Sequence, residues 1–121
     1  MSRKILIVDD EPNIVMSLEY AFKKKDFEVF IARDGTEALE IAGKELPNIV
    51  LLDIMMPKMD GYETLKQIRN NKDLNGTKVI FLSAKSKIAD VEKGLKLGAD
   101  SYVTKPFSVK KVIADIEQMI E

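Results

Sequence analysis

A small set of polar side chains in this sequence could carry chemistry, because each of them follows a short apolar run. They are Asp9, Asp10, Asp53, Ser83 and Lys105. Carboxylates that lie close together repel one another, and a hard divalent cation with oxygen ligands relieves that repulsion. An aspartate can also act as a nucleophile and form an acyl phosphate, while an ammonium and a hydroxyl stabilise the transferred group. The set is therefore typical of Mg²⁺-assisted phosphoryl transfer, provided that the fold brings its members together.

Each of these residues alone has a simpler interpretation. Asp10, before Pro12, could merely favour the start of a helix, and Ser83 could cap one. Asp53 could be a turn residue that leaves a strand, and Lys105 could be a solvated surface amine. The functional interpretation depends on all of them lying at one edge of one sheet.

Five apolar runs alternate with helical patterns along the chain. The runs span residues 5–8, 29–32, 49–52, 79–82 and 102–103. Continuous runs suit parallel strands buried on both faces, and five alternations predict an α/β fold with a doubly wound, five-stranded parallel sheet and helices on both faces. If the strand order is the flavodoxin-like 2-1-3-4-5, which we expect, the first and third strands are neighbours. Asp9, Asp10 and Asp53 then meet at the carboxyl ends of these strands.

Bulk composition limits the function classes. The chain has 121 residues, of which 45% are hydrophobic, which suits one ordinary domain. Lys and Arg number 19 and Asp and Glu number 20, so a net charge of -1 gives no electrostatic reason to expect nucleic acid or an anionic membrane as partner. The sequence has no Cys and no His, which excludes disulfides, the usual zinc sites and a Ser-His-Asp triad. Without a signal-peptide pattern or a membrane-spanning apolar stretch, we expect a cytoplasmic protein.

Four motifs together carry a resemblance to a known family. They are Ile-Leu-Ile-Val-Asp9-Asp10-Glu11, Leu-Leu-Asp53-Ile-Met-Met-Pro57-Lys-Met-Asp60-Gly61, Leu-Ser83-Ala84 and Tyr102-Val-Thr-Lys105-Pro106-Phe107. In this order and spacing the chain resembles receiver domains of bacterial two-component response regulators, including the chemotaxis-regulator type. The resemblance implies a single receiver domain over residues 1–121. It also implies a phosphorylation-activated signalling switch that assists its own phosphorylation and is not a turnover enzyme.

The resemblance assigns the acceptor and the metal ligands. Asp53 would be the phosphoacceptor. Mg²⁺, with Mn²⁺ as an alternative, would be bound directly by Asp10, Asp53 and the main-chain carbonyl of Met55. Asp9 would act mainly through a bound water.

The resemblance also implies the remaining roles and the partners. Ser83 and Lys105 would contact the phosphoryl group, the Lys105-Pro106 peptide bond would be cis, and Ser83 and Tyr102 would form the switch. The phosphoryl donor would be a sensor histidine kinase or a histidine phosphotransfer protein. A downstream effector or a second receiver would bind the face formed by the fourth helix, fifth strand and fifth helix, with no direct nucleic-acid or membrane partner.

Three other functions stay open at this point. A flavin or nucleotide binder of similar topology would cradle phosphate with a Gly-, Ser- or Thr-rich turn after the first strand, where this chain has Asp9-Asp10-Glu11. An aspartyl-phosphate phosphohydrolase would have a second Asp two residues beyond the nucleophile, where this chain has Met55. A pseudo-receiver that is not phosphorylated would usually lack an acidic-pocket residue or the Lys, and this chain has them all.

Overall fold

The structure is a computed structural model that describes residues 3–120. Strands and helices alternate five times, as predicted. The elements are β1 (Lys4–Val8), α1 (Pro12–Lys24), β2 (Glu28–Ala32), α2 (Gly35–Glu45), β3 (Ile49–Asp53), α3 (Gly61–Asn70), β4 (Lys78–Ser83), α4 (Ile88–Lys96), β5 (Ser101–Thr104) and α5 (Val109–Met119), with a short 3₁₀ helix at Lys72–Leu74. The ends of the predicted domain, at positions 1 and 121, lie outside the described residues.

The five strands form one parallel sheet in the order β2-β1-β3-β4-β5, which confirms the predicted flavodoxin-like topology. β1 and β3 are hydrogen-bonded neighbours, with Val8 opposite Leu52. Because the two strands run in the same direction, the next residues, Asp9 and Asp53, lie side by side at the carboxyl edge. The sheet register alone therefore brings these two carboxylates together.

Both faces of the sheet are buried, which explains why the strands are apolar without alternation. One face packs under α2 and α3, and its strand residues include Leu6, Val50 and Phe81. The other face packs under α1 and α5, and its strand residues include Ile7 and Leu51. Two cores hold the central strands rigidly, so the loops at the carboxyl edge start from fixed positions.

Residues at the amino termini of the helices hold most of the loops at the carboxyl edge of the sheet in place. Pro12 is the first residue of α1, where its missing N–H removes no helical hydrogen bond. Asp34, Asp60 and Ser108 cap α2, α3 and α5 by accepting hydrogen bonds from backbone N–H groups. α4 differs, because Lys87 at its start makes no side-chain cap. Among the helices that follow β2 to β5, α4 therefore has the least constrained amino-terminal end.

Arg69 connects α3 to the segments that precede β4 and β5, at the edge of the sheet opposite to the carboxyl ends of the strands. Its guanidinium donates hydrogen bonds to the carbonyls of Gly98 at 2.9 and 3.0 Å and of Thr77 at 2.9 Å. It also forms an ion pair with Asp100 at 2.9 Å. Gly98 has a φ of 110°, which L-residues rarely adopt, and it lies just beyond the end of α4. The carboxyl-terminal end of α4 is thus anchored, in contrast to its start.

Gly61 allows α3 to begin directly against the end of β3. A Cβ at this position would lie 2.5 Å from the carbonyl oxygen of Asp53 and 2.7 Å from Cα of Ile54. Both are backbone atoms that cannot move away without shifting the strand. We therefore expect Gly61→Ala to lower the free energy of unfolding by about 1–3 kcal/mol, the usual cost of overpacking. Equilibrium denaturation measures this.

Gly43→Ala is the matched control, because a Cβ at Gly43 would meet nothing within 4 Å. Gly43 lies inside α2, so the same substitution there should stabilise the protein by about 0.5–1 kcal/mol. Equal stability changes at the two positions would contradict the close packing of α3 on β3.

Candidate functional site

Three carboxylates meet at the carboxyl edge of β1 and β3. Asp9 and Asp53 are buried, Asp10 is exposed, and one oxygen from each lies within 4.8 Å of the others. The backbone orients two of them, because Asp9 Oδ1 accepts a hydrogen bond from the N–H of Glu11 at 2.9 Å and Asp53 Oδ1 accepts one from the N–H of Met55 at 3.3 Å. The predicted acidic cluster is thus brought together.

Lys105 reaches this cluster from the loop after β5. Its Nζ lies 3.0 Å from Asp9 Oδ2 and 3.6 Å from Asp53 Oδ2. It also contacts Glu11 Oε1 at 2.8 Å, a partner that the sequence did not indicate. The backbone N–H of Lys105 donates to the carbonyl of Ser83 at 2.8 Å, and the Lys105-Pro106 bond is cis, as expected. The single ammonium of Lys105 thus offsets part of the negative charge of the three carboxylates that it contacts, those of Asp9, Glu11 and Asp53.

The electrostatics of the site follow from burial and crowding. Burial and the charge of Asp9 raise the pKa of Asp53 from 3.8 to about 6, although Lys105 and the Met55 N–H act in the opposite direction. Burial disfavours the charge of Lys105, yet hydrogen bonds to Glu11 and Asp9 raise the pKa of its ammonium above the ordinary value. Lys105 therefore stays charged, while Asp53 is costly to ionise without further positive charge.

The cluster fits a hard divalent cation. The donors are carboxylate oxygens, the ligand type that Mg²⁺ prefers, and one of the three, Asp10, is exposed and open to water. Asp53, with its raised pKa, is the group whose ionised form such a cation would favour. The side chain of Met55 is exposed, and the role of its carbonyl as a ligand stays a prediction.

Ser83 and Tyr102 are connected through the backbone of Lys85. Ser83 Oγ accepts a hydrogen bond from the N–H of Lys85 at 3.0 Å, and the Tyr102 hydroxyl donates to the carbonyl of Lys85 at 2.7 Å. Ser83 is fully buried at the end of β4. Lys85 is therefore held at both its backbone groups, one by each predicted switch residue.

Tyr102 lies under α4. Its ring packs edge-on against Phe81, with 5.9 Å between the ring centroids. A Cβ at Gly94 of α4 would lie 2.9 Å from the Phe81 ring and 3.1 Å from the Tyr102 ring. On the outer side of α4, Ile88 is 78% exposed and Leu95 is 45% exposed. The helix that covers Tyr102 thus also presents apolar residues to solvent.

The sequence of this chain matches a known protein family. The family model described as the response regulator receiver domain matches residues 5–117. The chain belongs to this family. The receiver domain is 43% identical over 120 residues to the alkaline phosphatase synthesis transcriptional regulatory protein PhoP of Bacillus subtilis, covering 99% of this chain and 49% of that protein. It thus spans about half the length of this curated relative.

Solved structures of other proteins resemble this receiver domain in both fold and sequence. The receiver domain of the Francisella response regulator 1452 is 33% identical, with a TM-score of 0.91 over 98% of this receiver domain and 97% of that chain. A chain of the CheX-CheY-BeF3-Mg²⁺ complex from Borrelia burgdorferi is also 33% identical, with a TM-score of 0.90 and 98% and 90% coverage. Within residues 3–120, no helix of this receiver domain has the length and apolar character needed to cross a bilayer.

The raised pKa of Asp53 predicts how stability depends on pH. The folded pKa of about 6 lies above 3.8, so the group favours folding while it is protonated. That stability is fully present below pH 3.8 and is lost as the pH rises through about 6. In metal-free buffer near neutral pH, Asp53→Asn should therefore be more stable than the parent by about 2 kcal/mol, since each pKa unit corresponds to about 1.4 kcal/mol and relaxation reduces the effect. The gain should shrink towards zero on acidification to about pH 4.

Denaturation curves across this pH range check the prediction. Asp73→Asn is the control, because Asp73 is exposed and lies far along the chain from the cluster. A gain in Asp53→Asn that does not change with pH, or one matched by Asp73→Asn, would show that repulsion and burial at Asp53 are not its cause.

Proposed function

We propose that this receiver domain is a phosphorylation-operated switch in which Asp53 accepts a phosphoryl group from a sensor histidine kinase or a histidine phosphotransfer protein. One observation carries the proposal: a buried carboxylate at the end of β3 lies beside two further carboxylates and 3.6 Å from the ammonium of Lys105. A domain over residues 1–121 that works in the cytoplasm, and does not itself turn over substrates, fits this function.

The transfer itself needs few covalent changes. A carboxylate oxygen of Asp53 forms the new P–O bond, the P–N bond of the donor phosphohistidine breaks, and the electron pair returns to the imidazole nitrogen, which takes up a proton. Lys105 and Ser83 would stabilise the phosphoryl oxygens, because one is a charged donor and the other a buried hydroxyl at the same edge. Lys105 would then exchange contacts with Asp9 or Glu11 for contacts with the phosphoryl group.

Asp10, Asp53 and the carbonyl of Met55 would hold a divalent cation, with Asp9 acting through a bound water. When bound, Mg²⁺ or Mn²⁺ supplies the positive charge that neutralises the carboxylates and the phosphoryl oxygens. Asp53 would be ionised under these conditions despite its raised pKa, and an ionised carboxylate is the nucleophile that the transfer requires. The Borrelia burgdorferi complex named for BeF3 and Mg²⁺ supports the same combination in this receiver domain.

The conformational change caused by phosphorylation would be transmitted from Ser83 through the backbone of Lys85 to Tyr102. When the Ser83 hydroxyl turns towards a phosphoryl group on Asp53, its hydrogen bond with the Lys85 N–H must weaken and the β4–α4 segment must adjust. We infer that phosphorylation favours the arrangement with the Tyr102 ring against Phe81 over one in which the ring has turned to solvent. A downstream effector or a second receiver would read this change on the α4-β5-α5 face.

The rival functions are less well supported. A pseudo-receiver needs neither the raised pKa of Asp53 nor the buried Ser83, both of which serve phosphoryl transfer. An aspartyl-phosphate phosphohydrolase needs an acid-base carboxylate two residues beyond the nucleophile, and the chain has the exposed Met55 there. A flavin or nucleotide site would place phosphate against the three carboxylates, which repel it.

Direct phosphorylation tests the proposal. With a small-molecule phosphodonor and Mg²⁺, the parent should gain the mass of one phosphate, and hydroxylamine should remove it because acyl phosphates react with this nucleophile. Intact-mass measurement detects the adduct. The control Asp73→Asn should behave like the parent, whereas Asp53→Asn should gain nothing. An adduct that persists in Asp53→Asn, or that survives hydroxylamine, would overturn the assignment of Asp53.

Mg²⁺ should stabilise the folded domain, because the carboxylates are brought together only by folding. At a concentration 100 times the dissociation constant, ligand linkage predicts a gain of about 2.7 kcal/mol in the free energy of unfolding. Thermal melts with Mg²⁺ or with a chelator measure the gain. Asp10→Asn should lose most of it and Asp73→Asn should keep it, so a full Mg²⁺ response in Asp10→Asn would exclude Asp10 as a ligand.

A further inference from the structure

Gly94 lies inside α4, at the point where this helix packs on two aromatic rings. A Cβ at Gly94 would be 2.9 Å from Cδ2 and 3.1 Å from Cε2 of Phe81, and 3.1 Å from Cδ2 of Tyr102. Phe81 and Tyr102 are opposite each other in the register of β4 and β5, and their rings pack edge-on with centroids 5.9 Å apart. The backbone of α4 therefore rests directly on this pair of rings.

A glycine inside a helix is unfavourable by itself, because its flexible backbone loses much conformational freedom on folding. Gly43, inside α2, provides the contrast within this chain, since a Cβ there would meet nothing within 4 Å. At Gly94, the absence of a side chain is what lets α4 approach the rings this closely. The residue at position 94 thus determines how closely α4 covers Tyr102.

Contacts on both sides of Gly94 restrain α4 from moving outward. The Nζ of Lys93 lies 4.2 Å from the centroid of the Tyr62 ring in α3. Gly98, just beyond the end of α4, accepts two hydrogen bonds from the Arg69 guanidinium at 2.9 and 3.0 Å. A methyl group added at position 94 would therefore press on the rings beneath the helix.

The two rings beneath Gly94 differ in their freedom to yield. Phe81 is fully buried and also packs edge-on against Tyr62, with 5.6 Å between the ring centroids. Tyr102 is half-buried on the edge strand β5 and lines an open groove of about 450 Å³ between β5 and α5. Its hydroxyl is held by one hydrogen bond, to the Lys85 carbonyl at 2.7 Å. Tyr102 is therefore the ring that gives way when the pair is crowded.

We propose that Gly94 is a positioning residue of the switch: by leaving space under α4, it allows the Tyr102 ring to lie against Phe81, the arrangement that phosphorylation favours. A methyl group at position 94 would crowd this arrangement. It would not crowd the arrangement in which the Tyr102 ring has turned to solvent, because Phe81 would then have the vacated space to move into. This inference rests on the proposed function, since it concerns the same movement of Tyr102.

Gly94→Ala should therefore weaken the binding of a phosphoryl mimic and leave the binding of Mg²⁺ unchanged, because neither ring belongs to the acidic cluster. The apparent affinity falls with the populated fraction of the competent arrangement. We expect beryllofluoride, in the presence of Mg²⁺, to bind Gly94→Ala about tenfold more weakly than the parent, which corresponds to about 1.4 kcal/mol and lies within the usual cost of overpacking. Calorimetric titration with beryllofluoride measures this loss, and thermal melts with Mg²⁺ alone should show equal stabilisation of the two proteins.

Three further variants separate this role from a general loss of packing. Gly43→Ala is the matched control, and its affinity for beryllofluoride should equal that of the parent. In a Tyr102→Ala background, Gly94→Ala should cause a much smaller loss of affinity, because no tyrosine ring is left to displace. Combined with Gly94→Ala, Phe81→Met should restore most of the affinity, because a flexible thioether side chain yields where a ring does not.

The results distinguish this inference from the proposed function. An unchanged affinity in Gly94→Ala, an equal loss with and without the Tyr102 ring, or no recovery with Phe81→Met would overturn the role of Gly94 in the switch. A weaker Mg²⁺ response in Gly94→Ala, or a variant that does not fold, would overturn it as well, since the Tyr102 ring would then not be what gives way. Failure of the parent to bind beryllofluoride would instead contradict the proposed function. Binding by the parent, with a loss in Gly94→Ala that depends on the Tyr102 ring, supports both.

Discussion

Electrostatic repulsion at the end of β1 and β3 is the constraint on which the rest of the site depends. The parallel register of the two strands leaves Asp9 and Asp53 no room to separate, and Asp10 adds a third oxygen within 4.8 Å. Burial and the neighbouring charge of Asp9 together raise the pKa of Asp53 to about 6. The cluster is therefore incomplete without positive charge, which Lys105 supplies in part. A metal ion and a transferred phosphoryl group would each change this balance, and that sensitivity is what a switch requires.

At the same edge of the sheet, hydrogen bonds connect the end of β4 to the region beneath α4. Ser83, at the end of β4, holds the backbone N–H of Lys85, and Tyr102 holds its carbonyl. α4 covers this connection, is anchored at its carboxyl-terminal end through Gly98 and Arg69, and lacks a side-chain cap at its start. A helix fixed at one end and weakly held at the other can respond to small changes beneath its free end. Cores on both sheet faces keep the strands themselves rigid, so we expect any response to be confined to the segment before α4 and the start of that helix.

The strands and the acidic cluster could be predicted from the sequence, because they depend on the periodicity of apolar residues and on the register of the sheet. Continuous apolar runs identified the buried parallel strands, and the position of Asp53 after the third run placed it in the acidic cluster. Other features depend on side-chain reach across the fold, which spacing does not encode. Glu11 binds Lys105 across a sequence separation of 94 residues, and Arg69 reaches Gly98 across 29. The unpaired hydroxyl of Tyr62 could not be predicted either, because a tyrosine in the first turn of an amphipathic helix is typical of an ordinary core position.

Borohydride reduction followed by peptide mass mapping tests most directly whether the phosphoryl group resides on Asp53. Reduction of an aspartyl phosphate converts the aspartate into homoserine and so marks the acceptor permanently. After treatment with a phosphodonor and Mg²⁺, homoserine should be found at position 53 and nowhere else, and chelation of Mg²⁺ before the phosphodonor is added should abolish it. Homoserine at Asp9 or Asp10, or no homoserine in a protein that has gained phosphate, would contradict the assignment of Asp53 as the acceptor within this carboxylate cluster.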